Sequence, residues 1–479
     1  MMKTIVEEKL VSFKTLEQKI YKYICTYGAE LTRIVLEKYD DELAEGRDRR
    51  AYRDKGKRGT TIKTVYGEVC YSRRVYEKRE EGGEKRYVYL LDEAMQMEKI
   101  GLLSANLAEK IAMTAAESPY RVTAETISST CGQSMGHGGA WNLVQRLGER
   151  ISKEEAYAVR QMEAGEAAGK EVLPVLFEEM DGVWLSMQGE RHQKMKKQEM
   201  KVFTMYEGWK AEDGGRSSLV NKTMLAGMEK SGGFHAKREA LIEKRYAADE
   251  IVQRVLNGDG GGWVKEPYDP EAIVQLDRYH VYQEILRKIG DKKAQKEIRE
   301  LFDSEKPDEM LDYIKAYADS VAGDEKTDNR RKKALELYRY LHNNREGLIP
   351  WQKRGIEIPA PPEGIVYKGM GVQESQNCTV ITLRMKHRRM RWSVNGANNM
   401  AKILYRKENR ELAETIERYT DGFLPISGME DAVKILSAAK APKKEGKGNP
   451  YVDRMGGHMS LLDAMRTASR KAFIAAFVD

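Results

Sequence analysis

No apolar run in the 479 residues reaches the roughly 18–20 positions needed to cross a bilayer, so the sequence offers no membrane-spanning helix. The opening residues, Met1-Met2-Lys3-Thr4-Ile5-Val6-Glu7-Glu8, turn acidic at once and hold no apolar signal core, which predicts a cytoplasmic protein. Cysteine is scarce. Cys25, Cys70, Cys131 and Cys378 lie far apart, and no pair has zinc-ligand spacing. A disulfide framework is not expected in a chain this long, so all four read as reduced thiols that pack as small apolar groups. Excess charge of one sign is small too: 82 Lys and Arg stand against 75 Asp and Glu, a net +7. That balance permits a nucleic-acid partner without requiring one, and local clustering has to decide. A dinucleotide fingerprint is also missing. Gly258 and Gly260 start one, but its third glycine falls at Trp263, which argues against a nucleotide-cofactor enzyme.

What is present is a polar globular composition, 41% hydrophobic and 33% charged, long enough for two to four domains. Residues 4–44 predict a helix, with Leu10, Phe13, Leu16, Ile20, Ile24, Leu31, Ile34 and Leu36 at three- and four-residue steps. Between 47 and 58 stand Arg47, Arg49, Arg50, Arg53, Lys55, Lys57 and Arg58, either a solvated linker or a set of phosphate contacts. The β-branched and aromatic stretch 60–76, broken at Gly67 and carrying Arg73 and Arg74, predicts a basic hairpin. Helical patterning returns over 102–151. Ser118-Pro119-Tyr120 starts a helix, Cys131-Gly132-Gln133-Ser134 ends it, and Trp141, Leu143, Val144 and Leu147 mark the next. This is helix-turn-helix spacing or a plain helical packing unit, and Gly136, Gly138 and Gly139 should weaken the start of its second helix.

After a charged helix at 151–170 the character changes. Strands are predicted at 173–187, 199–206 and 221–228, a helix at 233–248, and strands at 251–256 and 272–276. Three strands, then alternating helix and strand, suit a ribonuclease-H-like fold. Residues 281–345 read as helical and charged, 350–362 as a proline-containing loop, and 374–388 and 395–419 as helices. A basic glycine-bearing loop at 438–456 and a helix at 461–477 close the chain.

Three acids stand where a fold can make them converge: Asp181 on a strand, Asp259 in a glycine-rich turn beyond another, and Glu374 at a helix start. Hard cations such as Mg²⁺ take oxygen ligands of this kind and keep positions open for phosphate. Two such ions about 4 Å apart can activate a water or a 3′-hydroxyl and stabilise the leaving oxygen. Asp277 also ends a strand and is the alternative second ligand. His280, three residues on, reads by itself as a satisfied core histidine. The basic run Arg384, Lys386, Arg388, Arg389 and Arg391 follows Glu374 and suits phosphates near a scissile bond. Trp392 either stacks on an unpaired base or belongs to the core.

The sequence resembles the insertion-sequence transposases of the ISLre group, relatives of the Mutator-like DDE transposases. The resemblance is carried, in order, by Thr64-Val65-Tyr66-Gly67-Glu68-Val69 with Arg73-Arg74-Val75-Tyr76, and by Tyr89-Leu90-Leu91-Asp92-Glu93. It continues in Glu179-Met180-Asp181-Gly182, Gly258-Asp259-Gly260 with Trp263, and Leu276-Asp277-Arg278-Tyr279-His280-Val281. It ends in Arg384-Met385-Lys386-His387-Arg388 with Arg391-Trp392-Ser393-Val394-Asn395-Gly396. It implies that Asp181, Asp259 and Glu374 are the catalytic, metal-binding acids and that Asp277 and His280 support them. Ser375-Gln376-Asn377 departs from the pattern expected after the third acid. The implied cofactor is Mg²⁺ or Mn²⁺, as two ions. The implied partners are double-stranded DNA, as the element's terminal repeats and target, and further copies of the chain assembled on it. A bacterial cytoplasmic protein that sits on the nucleoid when bound follows.

The expected architecture is therefore multidomain α+β. A helical and hairpin DNA-binding region spans 1–165. A ribonuclease-H-like core spans 171–285 and 366–410, interrupted by an all-helical insertion at 286–365, and a basic helical tail spans 411–479. DNA contacts are expected from Arg49, Arg50, Arg53, Lys57, Arg58, Arg73 and Arg74 and from the run after Glu374. The rival functions are a non-catalytic sequence-specific DNA-binding regulator and a ribonuclease-H-like nuclease without strand transfer.

Overall fold

The structure, a computed structural model, describes residues 12–79, 85–95, 103–167, 169–189, 196–212, 216–265, 269–321 and 325–420. The expected helix start at 4–11, the basic loop at 438–456 and the helix at 461–477 lie outside them. The described residues of Met1–Leu147 and Arg410–Asp479 form one compact unit and those of Gly148–Asn409 a second. The chain is mixed α+β, as expected.

In the first unit, helix α1 (Phe13–Gly46) is capped by the Ser12 hydroxyl, which accepts from the Thr15 N–H. Strands β1 (Tyr52–Thr64) and β2 (Gly67–Arg79) form the expected hairpin, and β3 (Lys85–Val88) adds an antiparallel third strand. The turn is tight. Thr64 faces Gly67, and Gly67 takes φ +124°, which an L side chain rarely adopts. Ala29 and Leu36 of α1 pack on Ile62, Val69 and Tyr71 of the hairpin and on Leu91 of the short α2 (Leu90–Ala94). Helices α3 (Ala105–Glu117), α4 (Tyr120–Thr130) and α5 (His137–Glu163) follow. The glycines at 138 and 139 do not prevent α5 from starting at His137, because its apolar stripe, Ala140, Leu143, Val144, Leu147 and Ile151, is wholly buried.

In the second unit, β4 (Val175–Ser186) is the middle strand of five, in the order β10-β9-β4-β5-β8. Strands β5 (Lys197–Tyr206) and β8 (Thr223–Gly227) run antiparallel to their neighbours; β9 (Gln253–Gly258) and β10 (Ile273–Leu276) run parallel to β4. Helix α6 (Ser231–Arg245) connects β8 to β9. A two-stranded ribbon, β6 (Trp209–Ala211) and β7 (Ser217–Leu219), and the one-turn α7 (Gly262–Lys265) escape sequence patterning because they are so short. Alternate residues of β4 face opposite ways. Val175 and Phe177 meet Tyr206, Trp209 and Trp351 on one face. On the other, Glu178 pairs with Arg254 at 2.6 Å, and Arg238 of α6 reaches Met180 Sδ.

After β10 comes a helical bundle of α8 (Arg278–Lys288), α9 (Lys292–Asp303), α10 (Pro307–Ser320) and α11 (Glu325–Asn343), with an apolar cluster around Ile285, Ile298, Phe302, Ile314 and Leu337. Beyond the proline-containing loop, α12 (Gln373–Gln376) runs without a break into a π-helical stretch, Asn377–Thr382, and a final turn, α13 (Leu383–Met385). Helix α14 (Val394–Glu408) packs on β8, and α15 (Leu412–Thr420) on α3.

The division between the two units falls within α5, after Leu147. The later part of that helix belongs to the second unit because Glu155 is tied there to Lys237, Lys402 and Tyr405. Of the expected tail at 411–479 the described residues hold α15, which packs on α3 of the first unit.

Candidate active site

The parallel pairing of β4 and β9 sets Met180 against Gly258, so the next residues, Asp181 and Asp259, leave adjacent strand positions together. Asp181 is buried. Its Oδ1 accepts from the Gly182 N–H at 2.7 Å, and its Oδ2 accepts from Asn377 Nδ2 at 2.6 Å and faces His280 Nε2 at 3.3 Å. Asp259 is half-buried. Its Oδ1 accepts the Gly261 N–H at 2.8 Å, which forms an Asx turn. The helical bundle holds that turn from behind. Tyr340 Oη donates to the Asp259 carbonyl at 2.8 Å, and Gly260, at φ +73°, would carry a Cβ only 2.6 Å from Asn344 Oδ1. Glu374 stands in the first turn of α12, half-buried, and its side chain makes no hydrogen bond or ion pair among the described residues.

These acids feel one another. Burial raises the Asp259 carboxyl, and Asp181 and Asp277 add to the rise. Burial likewise raises Glu374, with Asp181 and Asp277 adding and His280 and Lys386 opposing. For His280 burial opposes the charge, yet hydrogen bonding to Asp181 and the charges of Asp181, Asp277 and Asp259 lift it to about 9. The site is thus a group of carboxyls that raise one another, with His280 and Lys386 offsetting part of their charge. Among the described residues no three His, Cys, Asp or Glu stand close enough to hold a metal ion. In donor type the set suits a hard divalent cation, since it is all oxygen and the side chains of Asp259 and Glu374 keep uncommitted oxygens.

Asp277 has another task. It is buried and caps α8, with Oδ1 accepting from the Tyr279 N–H at 2.7 Å, while its Oδ2 accepts from Asn257 Nδ2 at 3.1 Å. Both oxygens are in use, whereas Asp259 has one to spare.

The basic residues divide. Lys386, Arg388, Arg389 and Arg391 are exposed, and Arg388 and Arg389 take left-handed backbone at φ +62° and +53°, which ends the helix and turns the chain outward. Arg384 is buried over the Trp392 ring and is not presented to a ligand. Trp392 is itself core, its Nε1 donating to the Met385 carbonyl at 2.9 Å, so it is no stacking platform. In the first unit Arg49, Arg50, Arg53 and Arg58 are exposed and make no ion pair among the described residues, and Lys57 is exposed beside Asp41. Arg73 is buried against Asp92, and Arg74 is held by Asp40 and Asp41. Those two guanidiniums brace the hairpin and do not face outward as expected.

A sequence profile of the uncharacterised protein family UPF0236 matches residues 6–417. The chain belongs to that family. Among its UPF0236 relatives is a protein of Streptococcus gallolyticus named for its place in the vanSb 3′ region, 25% identical over 410 residues, 82% of this chain and 84% of the relative. Another, from Caldanaerobacter subterraneus subsp. tengcongensis, is 25% identical over 398 residues, 81% of this chain and 76% of the relative, and its name joins eleven designations. Among solved structures, the Drosophila P element transposase strand transfer complex is 10% identical and covers 70% of this chain and 92% of that one, with a TM-score of 0.20. A likeness of that size carries no argument.

Three residues of this UPF0236 chain escaped sequence reasoning. Asn257 joins Glu179 and Asp277. Asn377, seen only as a departure from a pattern, touches Asp181. Glu179, two residues before Asp181, stands out in the sequence only as part of the run Glu179-Met180-Asp181-Gly182. A polar side chain inside an apolar strand was the available signal for Glu179 and Asn257.

Proposed function

We propose that the chain is the transposase of an insertion sequence: a DDE-type enzyme on a ribonuclease-H-like core that cuts and rejoins DNA with divalent cations. The observation that carries the reading is the adjacent departure of Asp181 and Asp259 from two parallel central strands, with Glu374 brought to the same charge cluster by α12. Support comes from the sheet: three antiparallel strands followed by two parallel ones, with the first in the middle, is the order a ribonuclease-H-like core requires. The eleven designations joined in one relative's name are what a gene copied many times within a genome would give.

Asp181, Asp259 and Glu374 would hold the cations, which supply a Lewis acid for the phosphate and a lowered pKa for the attacking hydroxyl. Asn377 and His280 hold Asp181 Oδ2 from two sides and fix its rotamer. Asp277 starts α8 and so places His280 one turn in. Lys386 lowers the negative potential at Glu374, and the exposed cations after it, with those of the hairpin, take the phosphates of the duplex.

The experiment is strand transfer. A duplex from the DNA flanking the gene, pre-cut to expose a 3′-hydroxyl, is incubated with the chain, Mg²⁺ or Mn²⁺ and a supercoiled plasmid. Joined product supports the proposal. Cleavage without joining would make the protein a nuclease, and binding without either would make it a regulator.

A further inference from the structure

We propose that Glu179 is a positioning residue, whose carboxylate fixes the amino end of α12, and through it Glu374, against the strand that carries Asp181. The inference rests on the functional reading above. Glu179 shares a face of β4 with Asp181 and is 0% exposed. Its Oε1 accepts from Tyr206 Oη at 2.6 Å and from the N–H groups of Gly371 and Val372 at 3.0 and 3.2 Å. Its Oε2 accepts from the Gln373 N–H and from Asn257 Nδ2, both at 3.1 Å.

All five partners are donors, and no Lys, Arg or His pairs with Glu179 among the described residues. A buried carboxylate without a cation is costly unless hydrogen bonds satisfy its oxygens, as they do here. Three of those donors are consecutive amides at the start of α12. The first N–H groups of a helix have no partner within it, and the local cap residue, Val372, has no acceptor to offer. The acceptor instead comes from 192 positions away. Gly371, at φ +127°, supplies the turn that aims these amides at one point.

A cap that served stability alone could come from a serine or aspartate within the turn. Placed on β4, it makes the separation of the first and third acids a property of one side chain. Asn257 extends the tie to β9, two residues before Asp259. Strand, strand and helix, each carrying one of the three acids, therefore meet at the Glu179 carboxylate.

The test is Mn²⁺ binding to the full chain by calorimetry, with cleavage measured beside it as a function of Mn²⁺ concentration. Glu179→Ala should weaken Mn²⁺ binding at least tenfold, the range found when a residue behind a metal ligand is removed. Tyr206→Phe, which deletes one donor and keeps the ring, should weaken it less and in the same direction. Glu178→Gln is the structural control. Its carboxylate faces the other side of β4, on Arg254, so it should lower stability and leave Mn²⁺ affinity unchanged. Wild-type binding with Glu179→Ala folded and equally tight overturns the inference alone. Should Glu179→Ala not fold, unchanged affinity in Tyr206→Phe overturns it. A wild-type chain that binds no Mn²⁺ overturns the functional reading and this inference together.

Discussion

Asp259 and Asp277 can be told apart by what their loss costs. Asp277→Ala removes the α8 cap, worth about 1 kcal/mol. It also takes from buried Asn257 one of its two acceptors, which adds about 1–2 kcal/mol. The sum is about 2–3 kcal/mol of stability. Asp259→Asn should cost nothing. An asparagine oxygen still accepts the Gly261 N–H, and Tyr340 bonds only the main chain. Because burial and neighbouring acids raise the Asp259 carboxyl above its unfolded value, its ionisation opposes folding at neutral pH, so removing the charge leaves stability equal or higher. Five of the six tryptophans, Trp184, Trp209, Trp263, Trp351 and Trp392, lie in Gly148–Asn409, so urea unfolding followed by their fluorescence reports on this unit. The expected result is Asp277→Ala less stable yet cleaving in dilute urea-free buffer, and Asp259→Asn as stable as wild type and inactive. The reverse, a stable but inactive Asp277→Ala beside an active Asp259→Asn, would make Asp277 the second ligand.

Four further outcomes follow from the same structure. Lys402 is fully buried between Glu155 at 3.0 Å and Glu229 at 3.2 Å, so Lys402→Met should destabilise the second unit by about 3–5 kcal/mol in chemical denaturation; a loss below about 1 kcal/mol would show that Lys237 alone suffices. Burial works against the charge of Glu229, but Lys402 and Lys237 outweigh it and hold the carboxyl at about 2, below its unfolded value of 4.5. Its contribution, of order 3 kcal/mol, is complete above pH 4.5 and lost as pH falls toward 2, and Glu229→Gln should flatten that part of a stability-against-pH curve. Replacing Arg49, Arg50, Arg53 and Arg58 by Gln should weaken binding to every duplex and reduce the salt dependence by about one unit of slope per lost contact, read by gel shift at several salt concentrations. The Arg73→Gln change should instead lower the stability of the first unit, since that side chain ends on Asp92.

The main strands were legible because each is a long run of apolar and β-branched residues bounded by polar turns: 173–187 became Val175–Ser186 and 251–256 became Gln253–Gly258. The ribbon at Trp209–Ala211 and Ser217–Leu219 was not, because three residues carry no period. Among candidate site residues, Asp181 lies within β4 and not at its end, whereas Asp259 and Glu374 could be picked out by their places just past a strand and at a helix start. Exposure could not be. Arg73 and Arg384 look like their basic neighbours in sequence, and only the acid or ring folded against each shows which way it points. Asp277 was ambiguous for the same reason, since capping a helix and binding a cation both call for a carboxylate at a strand end. The sharing of α5 between units was hidden because the Glu155 contacts lie far along the chain, at Lys237 and Lys402.

The most direct measurement is cleavage of a duplex from the DNA flanking the gene by the wild-type chain and by Asp181→Asn, in Mg²⁺ and in chelator. The asparagine keeps the shape of Asp181 but not the charge that would hold a cation. The expected result is a nick that exposes a 3′-hydroxyl with wild type in Mg²⁺, no product in chelator, and no product from Asp181→Asn although it binds the duplex as tightly in a gel shift. Cleavage by Asp181→Asn at the wild-type rate, or by wild type in chelator, would contradict the account.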